Sequence, residues 1–140
     1  MRRLILSAVL AFAPWAALAE ASAPAPVSVP IGVFDQTMTG QPITVPAGPL
    51  EVRASRTTIP LGAQLPAHKH PYPRFAYILQ GEILVTNLET GIVRRYKAGE
   101  FAIESRDQWH KGEAVGDGPA VLLVIDQAPP GAVNVVAKGP

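Results

Sequence analysis

Residues 62–81 read GAQLPAHKHPYPRFAYILQG and carry two histidines, His68 and His70, between two glycines, Gly62 and Gly81. Successive side chains of a β-strand point to opposite faces, so imidazoles separated by one residue face the same side. Imidazole is a nitrogen donor that suits Zn, Cu, Fe and Ni. The pair therefore indicates a metal chelate, and its alternative interpretation is ordinary surface polarity. The only other histidine, His110, is the candidate for a third ligand.

The remainder of the chain is typical of an all-β protein. Its 15 prolines and 12 glycines interrupt the apolar stretches every few residues, which favours short strands and turns over long helices. Short strands spaced by such turns predict a sandwich or a barrel, and the pattern alone does not choose between them. The predicted strands cover residues 42–45 (a weak one), 51–59, 75–80, 82–87, 92–96, 101–104, 109–115 and 120–126.

The amino terminus has the composition of a secretory signal peptide. Arg2 and Arg3 precede an apolar run over residues 4–18, and Ala17-Leu18-Ala19 supplies the small residues that precede cleavage. An apolar run of about 15 residues is shorter than the roughly 20 that span a bilayer. We therefore expect a cleaved signal peptide at 1–19, an Ala/Pro-rich leader at 20–30, one barrel domain at 31–140, and a periplasmic or secreted protein.

Charge and cysteine content exclude several kinds of partner. Removal of Arg2 and Arg3 leaves 10 of the 12 basic residues against 11 acidic ones, a net charge of −1. That charge is unsuited to nucleic-acid binding. The chain has no cysteine, so we expect neither disulfides nor a lipid-anchoring thiol, and no membrane partner once the signal is removed.

The spacing around the histidines resembles the two motifs of the cupin superfamily, G-x5-H-x-H-x3,4-E-x6-G and G-x5-P-x-G-x2-H-x3-N. Four residues match the first motif, and Gly99 and His110 match the second. The matching residues of the first motif are Gly62, His68, His70 and Gly81. The resemblance implies a double-stranded β-helix, or jelly-roll, barrel with His68, His70 and His110 as metal ligands in its interior. It also suggests a homodimer, by analogy alone.

The sequence departs from these motifs at four positions. Arg74 stands where most cupins have a glutamate ligand, and Ser105, Asp107 and Ala114 replace the Pro, Gly and Asn of the second motif. A guanidinium has donors and no lone pair, so Arg74 cannot bind a cation. Three interpretations remain open: Arg74 anchors an anionic substrate beside a three-histidine metal, it binds a ligand in a metal-free cavity, or it pairs with Glu104, Asp107 or Glu82 and braces the barrel.

Glu104 is the second ambiguous residue. It precedes the turn of the second motif, and it is either a substitute metal ligand, an acceptor that orients an imidazole, or a solvated strand end. The candidate catalytic residues are therefore Arg74, as an anchor for the substrate, and Glu104.

The predicted function is an exported cupin that binds a divalent first-row ion and acts, in the manner of a dioxygenase, on a small anionic substrate. Fe(II) is favoured over Zn, Mn, Ni or Cu. The alternatives are a non-enzymatic cupin that binds a small anionic or sugar-like ligand without metal, and a metal-independent isomerase in which a histidine is the general base.

Overall fold

The computed structural model describes residues 23–139. The predicted signal peptide at 1–19 and residues 20–22 of the predicted leader lie outside this part of the chain. Residues 23–30 are exposed and have no regular secondary structure. Residues 23–139 contain no helix, and so none that is long and apolar enough to span a bilayer.

Two antiparallel sheets form the described domain, which confirms the all-β prediction. One sheet has the strand order β1-β8-β3-β6 and the other has the order β5-β4-β7-β2-β9. The strands are β1 (Glu51–Ile59), β2 (Gln64–Lys69), β3 (Arg74–Gln80), β4 (Glu82–Asn87), β5 (Val93–Lys97), β6 (Phe101–Ile103), β7 (His110–Val115), β8 (Ala120–Ala128) and β9 (Val136–Ala137).

The two sheets share one apolar core. Alternate residues of β4 and β7 are buried, as expected for strands with one face inward. Ile78 on β3 is fully buried and packs in the same cluster as Ile83 and Val85 on β4. Met38 joins this cluster from the segment that precedes β1, and its N–H donates to the carbonyl of Ile103.

Most predicted strands are present, and the differences have simple causes. The weak strand predicted at residues 42–45 is wrong, since that segment forms only a single bridge, Gln36 with Pro42. Proline lacks an N–H to donate, and Pro46 follows closely. The strand that carries His68 ends at Lys69 because Pro71 follows His70, and His70 forms only a bridge with Arg106.

Gly81, the glycine between β3 and β4, offers a test of this packing. Its φ is +71°, and a Cβ there would lie 2.2 Å from the carbonyl oxygen of Pro119. Gly91 has nearly the same φ, +73°, but has open space around it. A left-handed backbone costs an alanine about 1–2 kcal/mol, so we expect Gly91→Ala to lose about that much stability. We expect Gly81→Ala to lose about 1–3 kcal/mol more because of the clash.

Urea unfolding of the two variants measures the difference. Because their backbone strain is matched, equal losses would contradict the close contact between Gly81 and Pro119.

Candidate metal centre

Strand register brings the histidines together. His68 on β2 and His110 on β7 are direct cross-strand partners, although they are far apart in sequence. His70 lies just beyond the end of β2 and also turns inward, with 0% of its surface exposed. The three ring centroids lie 4.5–4.9 Å from one another. The two sequence motifs therefore meet at a single point inside the barrel.

Each imidazole is held by a backbone carbonyl through its Nδ1 atom. The acceptors are the carbonyl oxygens of Pro66 for His68 at 2.7 Å, Asn134 for His70 at 2.6 Å and Gln108 for His110 at 2.9 Å. A carbonyl only accepts, so every Nδ1 must carry a proton and donate it. In a neutral ring the lone pair is then on Nε2. The three backbone contacts thus select the tautomer that a metal requires at Nε2.

Glu104 follows β6 and completes the cluster. Its Oε2 lies 2.9 Å from Nε2 of His70 and 3.1 Å from Nε2 of His110. One ligand atom from each of these four residues, His68 included, lies within 4.8 Å of all the others. Register places the carboxylate here, because the Glu104 N–H donates to the carbonyl of Arg74, directly across the β3–β6 pair.

The acid–base properties of the cluster are coupled. Burial opposes ionisation of Glu104, but the hydrogen bond with His110 and the close approach of the His70 ring outweigh it and hold the pKa of Glu104 well below its usual range. Burial likewise opposes protonation of His110, yet its hydrogen bond to Glu104 raises the pKa of His110 above the ordinary value. Burial dominates at His68 and lowers its pKa. Glu104 is therefore an anion. Burial keeps the nearby His68 neutral, whereas the Glu104 carboxylate favours protonation of His110.

The donor set fits a divalent cation. Nε2 of His70 is buried, and it has no hydrogen-bond partner among residues 23–139 even though Oε2 of Glu104 lies close by. With Nδ1 as the donor, a lone pair on Nε2 faces a carboxylate oxygen, which is repulsive unless a cation lies between them. Two ligands about 2.1 Å from one ion and at right angles lie about 3.0 Å apart, close to the two distances from Glu104 to His70 and His110. His68, His70, His110 and Glu104 could therefore hold a metal.

Arg74 has a partner that the sequence did not indicate. It lies directly opposite Asp126 in the β3–β8 ladder. Its Nε and Nη2 donate to the two carboxylate oxygens of Asp126, both at 2.7 Å. The bracing interpretation thus named the wrong acids: Glu104 faces the histidines, Asp107 pairs with Lys69 and Glu82 pairs with Arg95. Nη1 of Arg74 makes no hydrogen bond within residues 23–139, and Arg74 lines the same cavity as the cluster.

Asn134 and Asp126 are site residues that the sequence analysis missed. Asn134 follows β8 and is 4% exposed, and Asp126 is 9% exposed. The Asn134 side chain donates to Asp126 at 2.5 Å and accepts from the backbone N–H of Tyr72 at 2.8 Å. An aspartate that ends the apolar run AVLLVID was a signal for Asp126. Nothing in the sequence pattern distinguishes Asn134.

A small, mainly apolar cavity of about 60 Å³ is lined by three members of the cluster, His68, Glu104 and His110. Ile78, Ile83 and Leu122 are among the side chains that enclose the cavity. A second, more open cavity of about 270 Å³ shares His68 and Arg74 with it. Thr57 of β1 and Ala137 of β9 line this outer cavity. The outer cavity therefore lies between the β1 edge and the β2–β9 edge and adjoins the cluster at His68.

Comparison with known proteins agrees with this architecture. The family model described as a cupin domain matches residues 55–126. No curated protein sequence matches the chain.

Several solved structures are similar to the chain. The cupin domain of Schizosaccharomyces pombe Cnp3 is 23% identical with a TM-score of 0.51, and the match covers 56% of either chain. A protein with a double-stranded β-helix domain from Klebsiella pneumoniae is 26% identical, has a TM-score of 0.51, and is matched over 63% of this chain and 71% of its own. An oxalate oxidase in complex with glycolate is 26% identical, has a TM-score of 0.52, and is matched over 61% and 45%. The matched region thus spans about half of the Cnp3 and oxalate oxidase chains.

The coupling between Glu104 and His110 predicts how the metal-free protein responds to pH. A His110 pKa that is raised on folding stabilises the protein below about pH 6.5, the ordinary histidine value, and this stabilisation is lost as pH rises through the raised pKa. Glu104→Gln removes the carboxylate but leaves the burial. We expect the His110 pKa to fall below the ordinary value in this variant, and this part of the pH dependence to change sign.

NMR titration of the histidine ring protons in chelator-treated protein, with and without the substitution, measures the change. Glu113→Gln, on the exposed side of β7, is the control and should leave His110 unaffected. A His110 titration that is the same in all three proteins would contradict the coupling.

Proposed function

This chain belongs to the cupin family, and from that premise we propose that it is an exported metalloenzyme that oxidises a small carboxylate anion. His68, His70, His110 and Glu104 bind one divalent first-row ion, with Fe(II) the first candidate and Mn, Zn, Ni and Cu the others. Imidazole with carboxylate, in the absence of thiolate, is the donor set that non-haem Fe(II) enzymes use. The signal-like residues 1–19 support a periplasmic or secreted location.

The observation that carries this proposal is the shared orientation of the three imidazoles. All three Nδ1 atoms contact backbone carbonyls, and Nε2 of His70 and of His110 lies within about 3 Å of one carboxylate oxygen. Histidines that only make the surface polar would be exposed. They would not share one tautomer or face a common carboxylate. Four donors fixed in this way before binding lose little conformational freedom when they coordinate an ion.

Charge supports an anionic substrate. Arg74 and Asp126 cancel each other, and Glu104 neutralises one unit of a divalent ion, so the loaded site would have a net charge of about +1 in an apolar enclosure. A single negative charge is attracted strongly where the local dielectric constant is low. Nη1 of Arg74 has free N–H donors beside the cavity, and a guanidinium suits a carboxylate. The structurally similar oxalate oxidase in complex with glycolate supports the same class of ligand.

Size supports a small substrate. The inner cavity of about 60 Å³ has room for only a few non-hydrogen atoms. When bound, the ion supplies Lewis-acid polarisation and a site for electron transfer. The chain's own residues then bind the carboxylate at Arg74, keep the imidazoles in one orientation, and exclude bulk water with the apolar wall of the cavity.

A non-enzymatic cupin that binds an anion without metal is the second candidate. Its support is the short contact between Glu104 and His110, which a proton on Nε2 of His110 would satisfy without any cation. The two candidates differ in whether a chelator lowers thermal stability, because only a bound metal contributes to the folded state through its own affinity.

Metal analysis of the mature protein decides between the two candidates. We expect about one ion per chain after purification, and a melting temperature that falls on chelation and recovers with Fe(II) or Mn(II). Glu104→Gln and His110→Ala should weaken metal binding by more than the about 10–100-fold that loss of an outer contact costs. Glu113→Gln is the matched control. Metal affinity should also decrease as the pH is lowered. Because the pKa of His110 is raised, protons compete with the metal for this ring already above pH 6.5, and the decrease should begin there.

A chain that takes up no metal from any of these salts, and whose melting temperature a chelator leaves unchanged, favours the second candidate.

Arg74→Lys tests the anion contact. Lysine keeps the charge but loses the two-pronged pairing with Asp126 and the free Nη1. We expect calorimetry to show glycolate or oxalate binding to metal-loaded protein weakened about 10-fold, which is about 1.4 kcal/mol, with metal stoichiometry unchanged. Arg95→Lys, in an exposed pair with Glu82, is the control. Equal anion affinities in both variants and the parent would leave Arg74 with a bracing role only.

A further inference from the structure

The segment that follows β8 reaches the metal cluster from outside the matched cupin region. The family match ends at residue 126, and residues 129–139 then fold back across the end of the barrel. β9 pairs with the His68 end of β2, and the N–H of Lys138 donates to the carbonyl of Ala67. The segment is therefore joined by backbone hydrogen bonds to the strand that carries His68.

Asn134 is the residue of this segment that touches the cluster. Its backbone carbonyl accepts the Nδ1–H of His70 at 2.6 Å. Its side-chain Oδ1 accepts the N–H of Tyr72, and its Nδ2 donates to Oδ1 of Asp126, the carboxylate that also holds Arg74. One buried asparagine thus connects a candidate metal ligand with the Arg74–Asp126 ion pair.

His70 depends on this contact more than the other histidines do. His68 and His110 are strand residues that pair with each other, and each ring bonds to a carbonyl two residues earlier in its own chain segment. His70 lies beyond the end of β2, and the acceptor for its ring is 64 residues away in sequence. Its orientation is therefore set by a distant segment, and that segment is fixed by the Asn134 side chain.

We propose that Asn134 is the positioning residue of this site: it fixes the Nδ1–H tautomer and the angle of His70, and couples that ring to the Arg74–Asp126 pair. This inference rests on the proposed function insofar as His70 is a metal ligand. An outer hydrogen bond of this kind orients the ring and increases its basicity. The coupling also means that a carboxylate bound at Arg74 would share one hydrogen-bonded network with His70, a candidate metal ligand.

A double-mutant cycle with Co(II) as the probe tests the proposal. Asn134→Ala should lower Co(II) affinity about 10–100-fold and change the visible absorption spectrum of the bound ion. Val133→Ala is the matched control, since that side chain is 68% exposed on the same segment, and it should change neither. Once His70→Ala has removed the ring, adding Asn134→Ala should change the Co(II) affinity less than about 2-fold, because the route through His70 is gone.

A purely structural role for Asn134 predicts something different. It would lower the melting temperature, and it would reduce Co(II) affinity by the same factor whether or not His70 is present. That additive result, or an unchanged spectrum in folded Asn134→Ala, overturns the proposal.

A second measurement separates this inference from the proposed function. In metal-free protein, nitrogen NMR of the rings should show His70 as a single Nδ1–H tautomer, and Asn134→Ala should convert it to a mixture while His68 stays unchanged. A His70 tautomer that is the same in both proteins rules out the positioning role even if no metal binds. A protein that binds no Co(II) but shows this tautomer change refutes the metal site and leaves the positioning role intact.

Should Asn134→Ala not fold, Asp126→Asn replaces it in the cycle. This substitution preserves the shape of the side chain and removes the negative charge that accepts hydrogen bonds from both Asn134 and Arg74. Because it also leaves the charge of Arg74 unbalanced, it should weaken Co(II) binding in both backgrounds, but more strongly in the parent than in the His70→Ala background. An equal effect in both backgrounds contradicts the proposal.

Discussion

Three hydrogen bonds from imidazole Nδ1–H groups to backbone carbonyls are the constraint on which this site depends. They occupy Nδ1 of His68, His70 and His110 and leave Nε2 of each ring available, and Nε2 of His70 and of His110 lies beside the Glu104 carboxylate. Backbone carbonyls cannot donate, so the folded chain itself dictates the tautomer. The site is thereby organised for a cation before one arrives, and the short contacts between Glu104 and the rings of His70 and His110 reflect this organisation.

The carboxylate of the cluster comes from a different position than the cupin motif would give. Arg74 occupies the position where most cupins have glutamate, and the carboxylate comes instead from Glu104, on the strand segment beside it. Because the N–H of Glu104 donates to the carbonyl of Arg74, the two side chains start at the same level of the barrel. The guanidinium of Arg74 pairs with Asp126, its direct partner on β8. The charge of Arg74 in the usual glutamate position is thus compensated by its cross-strand neighbour.

The same interactions connect the architecture with a choice of substrate. A small apolar cavity strengthens the attraction between a loaded metal site and an anion, because little water is present to screen it. The outer cavity between β1 and β9 shares His68 and Arg74 with the inner one, so an entering carboxylate would meet the guanidinium beside the metal. Asn134 extends this network to His70 from a segment that lies beyond the matched cupin region.

By itself, the sequence determined the all-β class, seven of the strands to within a few residues, and the three histidines as one cluster, because these depend on local alternation, turn residues and fixed spacing. Only the tertiary structure decided the role of Glu104, the partner of Arg74 and the participation of Asn134. The contacts of Glu104 with His70, of Arg74 with Asp126 and of His70 with Asn134 join residues 34, 52 and 64 positions apart. Strand register and chain reversal set such distances, and no local pattern in a single sequence encodes which distant polar residues will face each other across a barrel.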